Sequence, residues 1–161
     1  MCELVDDAFW FLVPRSHRAQ CKQLGRRVTS EKAPPLTGVL ETVLYCTSET
    51  EAATRSFYND VLRLRAIGDF SYRVGSDVFL VFNRDESTVQ DEPPPHGAPG
   101  SVHVCFTASP DDYEAWKRAL AEAGVQILDE ITWPRNALKS FYFKDPAGNL
   151  LEIAEGDLWP P

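Results

Sequence analysis

The chain has 161 residues, 43% of them hydrophobic and 25% charged, and a formal net charge of -8. That length buries a sizeable core and is most simply one domain. The negative charge argues against nucleic acid or an anionic membrane as the main partner, because a phosphate backbone needs a positive footprint, and no run approaches the roughly 18 apolar residues of a spanning helix.

Residues 1–36 read as an N-terminal extension. "FWFLVP" is short and apolar, and it follows Glu3, Asp6 and Asp7, whereas a secretory signal has basic residues first. A basic stretch comes next, with Arg15, Arg18, Lys22, Arg26 and Arg27, and Pro34, Pro35 and Gly38 mark a linker. The expectation is an arm or a loose tail ahead of the folded body. Cys2, Cys21, Cys46 and Cys105 include no C-x-x-C pair, so zinc-finger and thioredoxin readings have no support. Cys46 and Cys105 fall in apolar, strand-like runs and read as small buried hydrophobes in a reducing compartment, the cytoplasm.

After the linker one unit is written twice. In module one, residues 38–83, "GVLETVLYC" has strand character. "SETEAATRSFYNDVL" follows as a helix, with the capping-box spacing at Ser48 and Glu51 and a predicted buried stripe of Ala53, Phe57 and Val61. "LRAIG", "FSYRV" and "DVFLVFN" are three short strands. Residues 84–100, broken by Pro93, Pro94, Pro95 and Pro99, form a connector with no element of its own. In module two, residues 101–155, "SVHVCFTA" is a strand and "SPDDYEAWKRALAEAG" a helix with clear ends. Ser109 caps it, Pro110 opens it, Asp111 and Asp112 sit near its positive end, and Gly124 closes it. Tyr113, Trp116 and Leu120 line its inner face. "VQILDEIT", "SFYFK" and "NLLEIAE" complete the copy, the last two joined by a turn in which Asp145, Pro146 and Gly148 suit type I geometry. Each unit is therefore β-α-β-β-β, with one helix to cover one sheet face.

Strand alternation shows which way the polar intruders point. Val102, Val104, Phe106 and Ala108 make an apolar face for the helix, which leaves His103, Cys105 and Thr107 opposite. In the same way Glu41 shares a face with Val39, Val43 and Tyr45, and Glu152 with Leu150 and Ala154. Glu41, His103 and Glu152 are thus aimed at the uncovered side. Two carboxylates in a half-buried cleft repel each other unless a cation joins them, and His with Glu oxygens is an ordinary first-row ligand set. Each residue also has a plainer reading: Glu152 exposed on an edge, His103 a satisfied core histidine, Glu41 paired with Arg73.

"FYFKDPAGNLLEI", "SFYNDVLRL" and "SVHVCF" resemble the vicinal oxygen chelate (VOC) superfamily, the glyoxalase/bleomycin-resistance/dioxygenase family, over roughly Thr37 to Trp159. The resemblance implies an α+β fold, a single domain at 37–159 whose two βαβββ modules form an incompletely closed, U-shaped sheet around a cleft. It marks His103 and Glu152 as metal ligands. Glu41 falls where the family usually has His or Gln, and Phe79, Leu80 and Val81 fall where glyoxalase I has a further ligand, with only Asp77 and Asn83 polar nearby. The implied protein is a divalent-metal-dependent lyase, isomerase or dioxygenase acting on a small oxygen-rich substrate. Glu41, His103 and Glu152 hold zinc, manganese, iron or nickel, Glu41 and Glu152 carry the chemistry, and the chain is a homodimer. The alternatives are a metal-free, bleomycin-resistance-like sequestering protein and a structural module with a vestigial site. His96 of the connector reads as a surface histidine or a cleft residue, and Tyr45, Tyr142, Trp133 and Arg135 as pocket residues or packing.

Overall fold

A computed structural model describes residues 35–159. The basic arm, Cys2 and Cys21 lie outside the described residues. Strand β1 (Glu41–Cys46) buries Leu44 and Cys46 and exposes Glu41. It leads to α1 (Glu51–Ser56), which continues as a π-helical turn over Phe57–Val61. Then come β2 (Arg65–Gly68), β3 (Ser71–Val74) and β4 (Asp77–Asn83). After a short α2 (Arg84–Ser87) and the irregular connector, the second half runs β5 (His103–Ala108), α3 (Pro110–Glu122), β6 (Asp129–Thr132), β7 (Lys139–Lys144) and β8 (Leu150–Glu155). No helix among the described residues is long and apolar enough to cross a membrane.

Both halves have one topology. The strand orders are β1-β4-β3-β2 and β5-β8-β7-β6. In each sheet the first strand runs parallel to the last, and the other neighbours are antiparallel. The fold is α+β, built of two four-stranded mixed sheets, and the sheet is not closed. Register makes the repeat exact residue by residue along the parallel pairs. Glu41 faces Val78 and His103 faces Leu150, while Val43 faces Leu80 and Cys105 faces Glu152. Glu41 is therefore the counterpart of His103, and Leu80 is the counterpart of Glu152.

The helix-covered faces share one aromatic core. Tyr58 lies 5.0 Å from Phe79, Phe79 5.5 Å from Phe106, and Phe57 6.4 Å from Phe143, measured between ring centroids. Two of these contacts join the modules, and full burial of a side chain of this size contributes about 1.5–3 kcal/mol. A polar seam crosses the same junction. The buried Asp145 carboxylate accepts from Tyr58 Oη at 2.8 Å, from Asn149 N at 2.8 Å and from Asn149 Nδ2 at 2.8 Å. Asn149 Nδ2 also donates to the Tyr45 carbonyl at 2.9 Å. Asp145 thus tethers module two to module one as well as opening its turn.

Several local expectations are corrected. Helix α1 is capped from Thr50 with no side-chain bond, so the Ser48–Glu51 box does not form. Asn83 Nδ2 takes both side chains instead, at 3.1 and 2.8 Å. The buried residues of this segment are Thr54, Phe57 and Tyr58, while Ala53 is exposed: the inward stripe starts one residue later and keeps ordinary three- and four-residue steps. Asn83, the N-cap, accepts from Asp85 N and starts a helix inside the connector. Only Asp129–Thr132 of "VQILDEIT" pairs as a strand. Helix α3 begins and ends as its sequence signals: Ser109 accepts from Asp112 N, and Gly124 has φ +76°.

Candidate functional site

The uncovered face of the second sheet holds His103, Cys105 and Thr107 on β5, Leu150 and Glu152 on β8, and Ser140 and Tyr142 on β7, as alternation and register require. His103 Nδ1 meets the Leu150 carbonyl at 3.1 Å. A carbonyl only accepts, so Nδ1 carries a hydrogen. Nε2 then faces Glu152 Oε2 at 3.3 Å, an ion pair when the ring is protonated and a lone pair open to a metal when it is neutral. A backbone carbonyl fixing the tautomer of a ring whose other nitrogen points at a carboxylate is the arrangement that prepares a histidine for a metal. Tyr142 stacks on the ring, with centroids 6.1 Å apart and planes inclined by 28°.

Glu152 is 4% exposed, and its Oε1 has no hydrogen-bond partner. A buried carboxylate oxygen left without a partner costs on the order of 1–3 kcal/mol or more. A cation beside it would remove that cost, so the donor set fits a divalent ion. Desolvation and then the Glu152 charge push the Cys105 thiol up to about 12. Desolvation likewise raises the Tyr142 phenol. Cys105 is exposed and Cys46 buried, so the buried-hydrophobe reading holds for Cys46 alone.

None of the plainer readings fits the geometry. Glu152 is buried rather than exposed, and His103 is exposed rather than part of the core. Arg73 donates to the Ser76 carbonyl at 2.9 Å, and no ion pair joins it to Glu41 among the described residues. Glu41 does not join the other two in one chain. Among the described residues no three His, Cys, Asp or Glu side chains cluster as a metal site. It stands instead on the uncovered face of the first sheet, in a row with Val43 and Tyr45 and beside Val78, Leu80 and Phe82.

His96 belongs to that first face. Its Nδ1 lies 3.0 Å from Tyr45 Oη, and its ring meets Phe82 edge-on at 5.0 Å. The Tyr45–His96 contact spans 51 residues and carries no local sequence signal. Trp133 Nε1 donates to Ser140 Oγ at 2.9 Å and leans on Trp159, which sets an indole beside the second face, whereas Arg135 is exposed. Asp77 is exposed and Asn83 is used as a cap, so neither supplies a ligand in this arrangement.

A family model for the Glyoxalase/Bleomycin resistance protein/Dioxygenase superfamily matches residues 40–153. The chain is 32% identical to a solved structure described as lactoylglutathione lyase from Agrobacterium tumefaciens, with a TM-score of 0.68 over 78% of this chain and 98% of that one. It is 27% identical over 106 residues to the metallothiol transferase FosB of Staphylococcus saprophyticus, covering 64% of this chain and 68% of that relative. It is 33% identical over 90 residues to the glutathione transferase FosA of Serratia marcescens, covering 55% of this chain and 58%, less than two thirds, of that relative.

Proposed function

As a member of the glyoxalase/bleomycin resistance protein/dioxygenase superfamily, this chain is, we propose, a divalent-metal-dependent enzyme acting on a small oxygen-rich substrate. Glu41, His103 and Glu152 are its ligands, and the observation that carries the reading is the His103–Glu152 pair: an imidazole Nε2 3.3 Å from a buried carboxylate whose other oxygen has no partner. Since Glu41 stands apart in its own chain, the third ligand comes from a second copy. A two-fold pairing that lays the first sheet of one copy over the second sheet of the other makes two equivalent sites and covers both open faces. The ion would supply Lewis-acid polarisation of substrate oxygens. The chain's own groups do the rest. The Leu150 carbonyl holds the imidazole in one tautomer, Tyr142 fixes its plane, and Glu41 and Glu152 neutralise the ion and can take up a substrate proton. Names such as metallothiol transferase and glutathione transferase among the relatives favour a metal-dependent reaction over passive sequestration. A reducing compartment such as the cytoplasm suits the free Cys46 and Cys105.

The test is metal content and complementation. Protein purified without chelator should hold one ion per chain and sediment as a dimer. Glu41→Gln and Glu152→Gln should each bind none as homodimers, while a mixed dimer of the two should regain one site. A site formed within one chain would give none in the mixture. A wild type that holds no metal and takes up no Mn²⁺ would leave sequestration as the better account, to be followed by turnover assays with S-lactoylglutathione and with fosfomycin plus a thiol.

A further inference from the structure

The uncovered face of the first sheet is graded along its length. Register pairs Glu41 with Val78, then Val43 with Leu80, then Tyr45 with Phe82. Read along β1, this is a carboxylate, a short aliphatic floor, and an aromatic pair roofed by His96. Four residues of strand span about 13 Å, so the two polar ends are a small molecule's length apart once their side chains reach inward.

His96 is held where it is by more than one element. Its N–H donates to the Ser87 carbonyl at 3.0 Å, and the buried Ser87 hydroxyl donates to the His96 carbonyl at 2.8 Å. Next to it, a Cβ at Gly97 would come within 2.7 Å of Thr88 Cγ2, so the connector lies tight against α2. Tyr45 Oη has no other partner among the described residues. When the phenol donates to Nδ1, the ring's own hydrogen is on Nε2. An imidazole oriented by a phenol, set edge-on to a phenyl ring and carrying in this tautomer an N–H on its second nitrogen is a donor for an incoming oxygen.

We propose that His96 Nε2 is the specificity contact of this site, binding an acceptor oxygen at the far end of the substrate. The inference rests on the metal reading and narrows it. The substrate class is a small compound with vicinal oxygens at one end, two or three carbons lying on Val43 and Leu80, and a carboxylate or carbonyl oxygen at the other end. Tyr45 is a positioning residue, acting through the imidazole.

Two 2-oxo acids separate the ends. Pyruvate and 2-oxoglutarate offer a metal the same vicinal oxygens, and only 2-oxoglutarate has a distal carboxylate. With Mn²⁺-loaded full-length protein, calorimetry should show 2-oxoglutarate binding more tightly than pyruvate. His96→Phe keeps an aromatic ring against Phe82 and loses the donor. It should weaken 2-oxoglutarate roughly tenfold, as expected for one hydrogen bond to a charged group in a half-open site, and leave pyruvate and Mn²⁺ binding unchanged. His96→Gln, which keeps a donor, should retain part of the difference, and Tyr45→Phe should lose part of it. If the wild type binds Mn²⁺ but does not prefer 2-oxoglutarate, or if His96→Phe weakens both acids equally, this inference falls and the metal reading stands. If the wild type binds no Mn²⁺, both fall.

Discussion

Replacing Glu152 by Gln should make the metal-free protein more stable and the metal-loaded protein less so. The side chain is 4% exposed and one of its oxygens has no partner. Gln has nearly the same shape but no charge, so in chelator the change relieves the carboxylate oxygen that has no partner, worth about 1–3 kcal/mol, and this outweighs the weakened contact to His103 at 3.3 Å. A folded body of this size shifts its Tm by roughly 3–5 °C per kcal/mol, which puts the variant some 3–15 °C above wild type in chelator. Adding Mn²⁺ at a thousand times its Kd should then stabilise the wild type by about 4.1 kcal/mol, and the variant hardly at all. The two melting curves should therefore change order between chelator and metal. Thermal melts followed by circular dichroism, backed by urea titrations in both conditions, read this directly. A variant that is less stable than wild type in chelator would refute the reasoning, because Glu152 would then be a satisfied structural carboxylate and not a ligand kept at a cost.

Three further outcomes follow from other parts of the molecule. Tyr58→Phe removes one bond to the buried Asp145 carboxylate and should lower stability by about 1.5–3 kcal/mol in urea titrations; a loss under 0.5 kcal/mol would mean that the seam between the modules carries little load. Glu41→His should keep metal binding while changing the order of preference among Mn²⁺, Zn²⁺ and Ni²⁺ in competition titrations, since imidazole is a softer donor than carboxylate; loss of all binding would argue that this position is not a ligand. Glu130 is held below the usual carboxylate range, first by its 2.8 Å bond from Lys117. A depressed acid stabilises the fold above its unfolded value and loses that contribution as pH falls through the folded one. The stability gap between wild type and Glu130→Gln should hence be constant from pH 6 to 7 and close as pH drops from about 4.5 downward. Because this pair is on the surface the gap is small, and a gap that persists in acid would refute the assignment.

The parts of the fold that were legible in the sequence are those written by local rules. Helix α3 announces itself through Ser109, Pro110 and Gly124, and the faces of β1, β5 and β8 follow from alternation alone. Where long-range partners compete for a side chain, local rules mislead. Glu51 has capping-box spacing, but Asn83, 32 residues away, takes it. The stripe on α1 starts at Thr54 rather than Ala53, an offset set by which side of the helix meets the sheet and not by the four-residue step alone. The same limit applies to the site. Alternation gave the direction of Glu41, His103 and Glu152, yet direction along a strand says nothing about the distance between sheets, and Glu41 stands apart from the other two in its own chain. His96 was visible only as a connector histidine, since its place depends on a contact to Tyr45 that no spacing encodes.

The pairing of Leu80 with Val43, where Glu152 pairs with Cys105, has a consequence for how such a centre is enclosed. Two unmodified copies of one module, set face to face, would surround an ion with four side chains related by symmetry. Here the duplicated position has become a buried aliphatic residue, 9% exposed. On the proposed assembly an ion has three protein donors, and the quadrant belonging to the fourth is walled by methyl groups that cannot bind it. On that assembly, divergence between the two halves would give the ion one side walled by an aliphatic residue, where an incoming molecule would find both a binding position and drier surroundings.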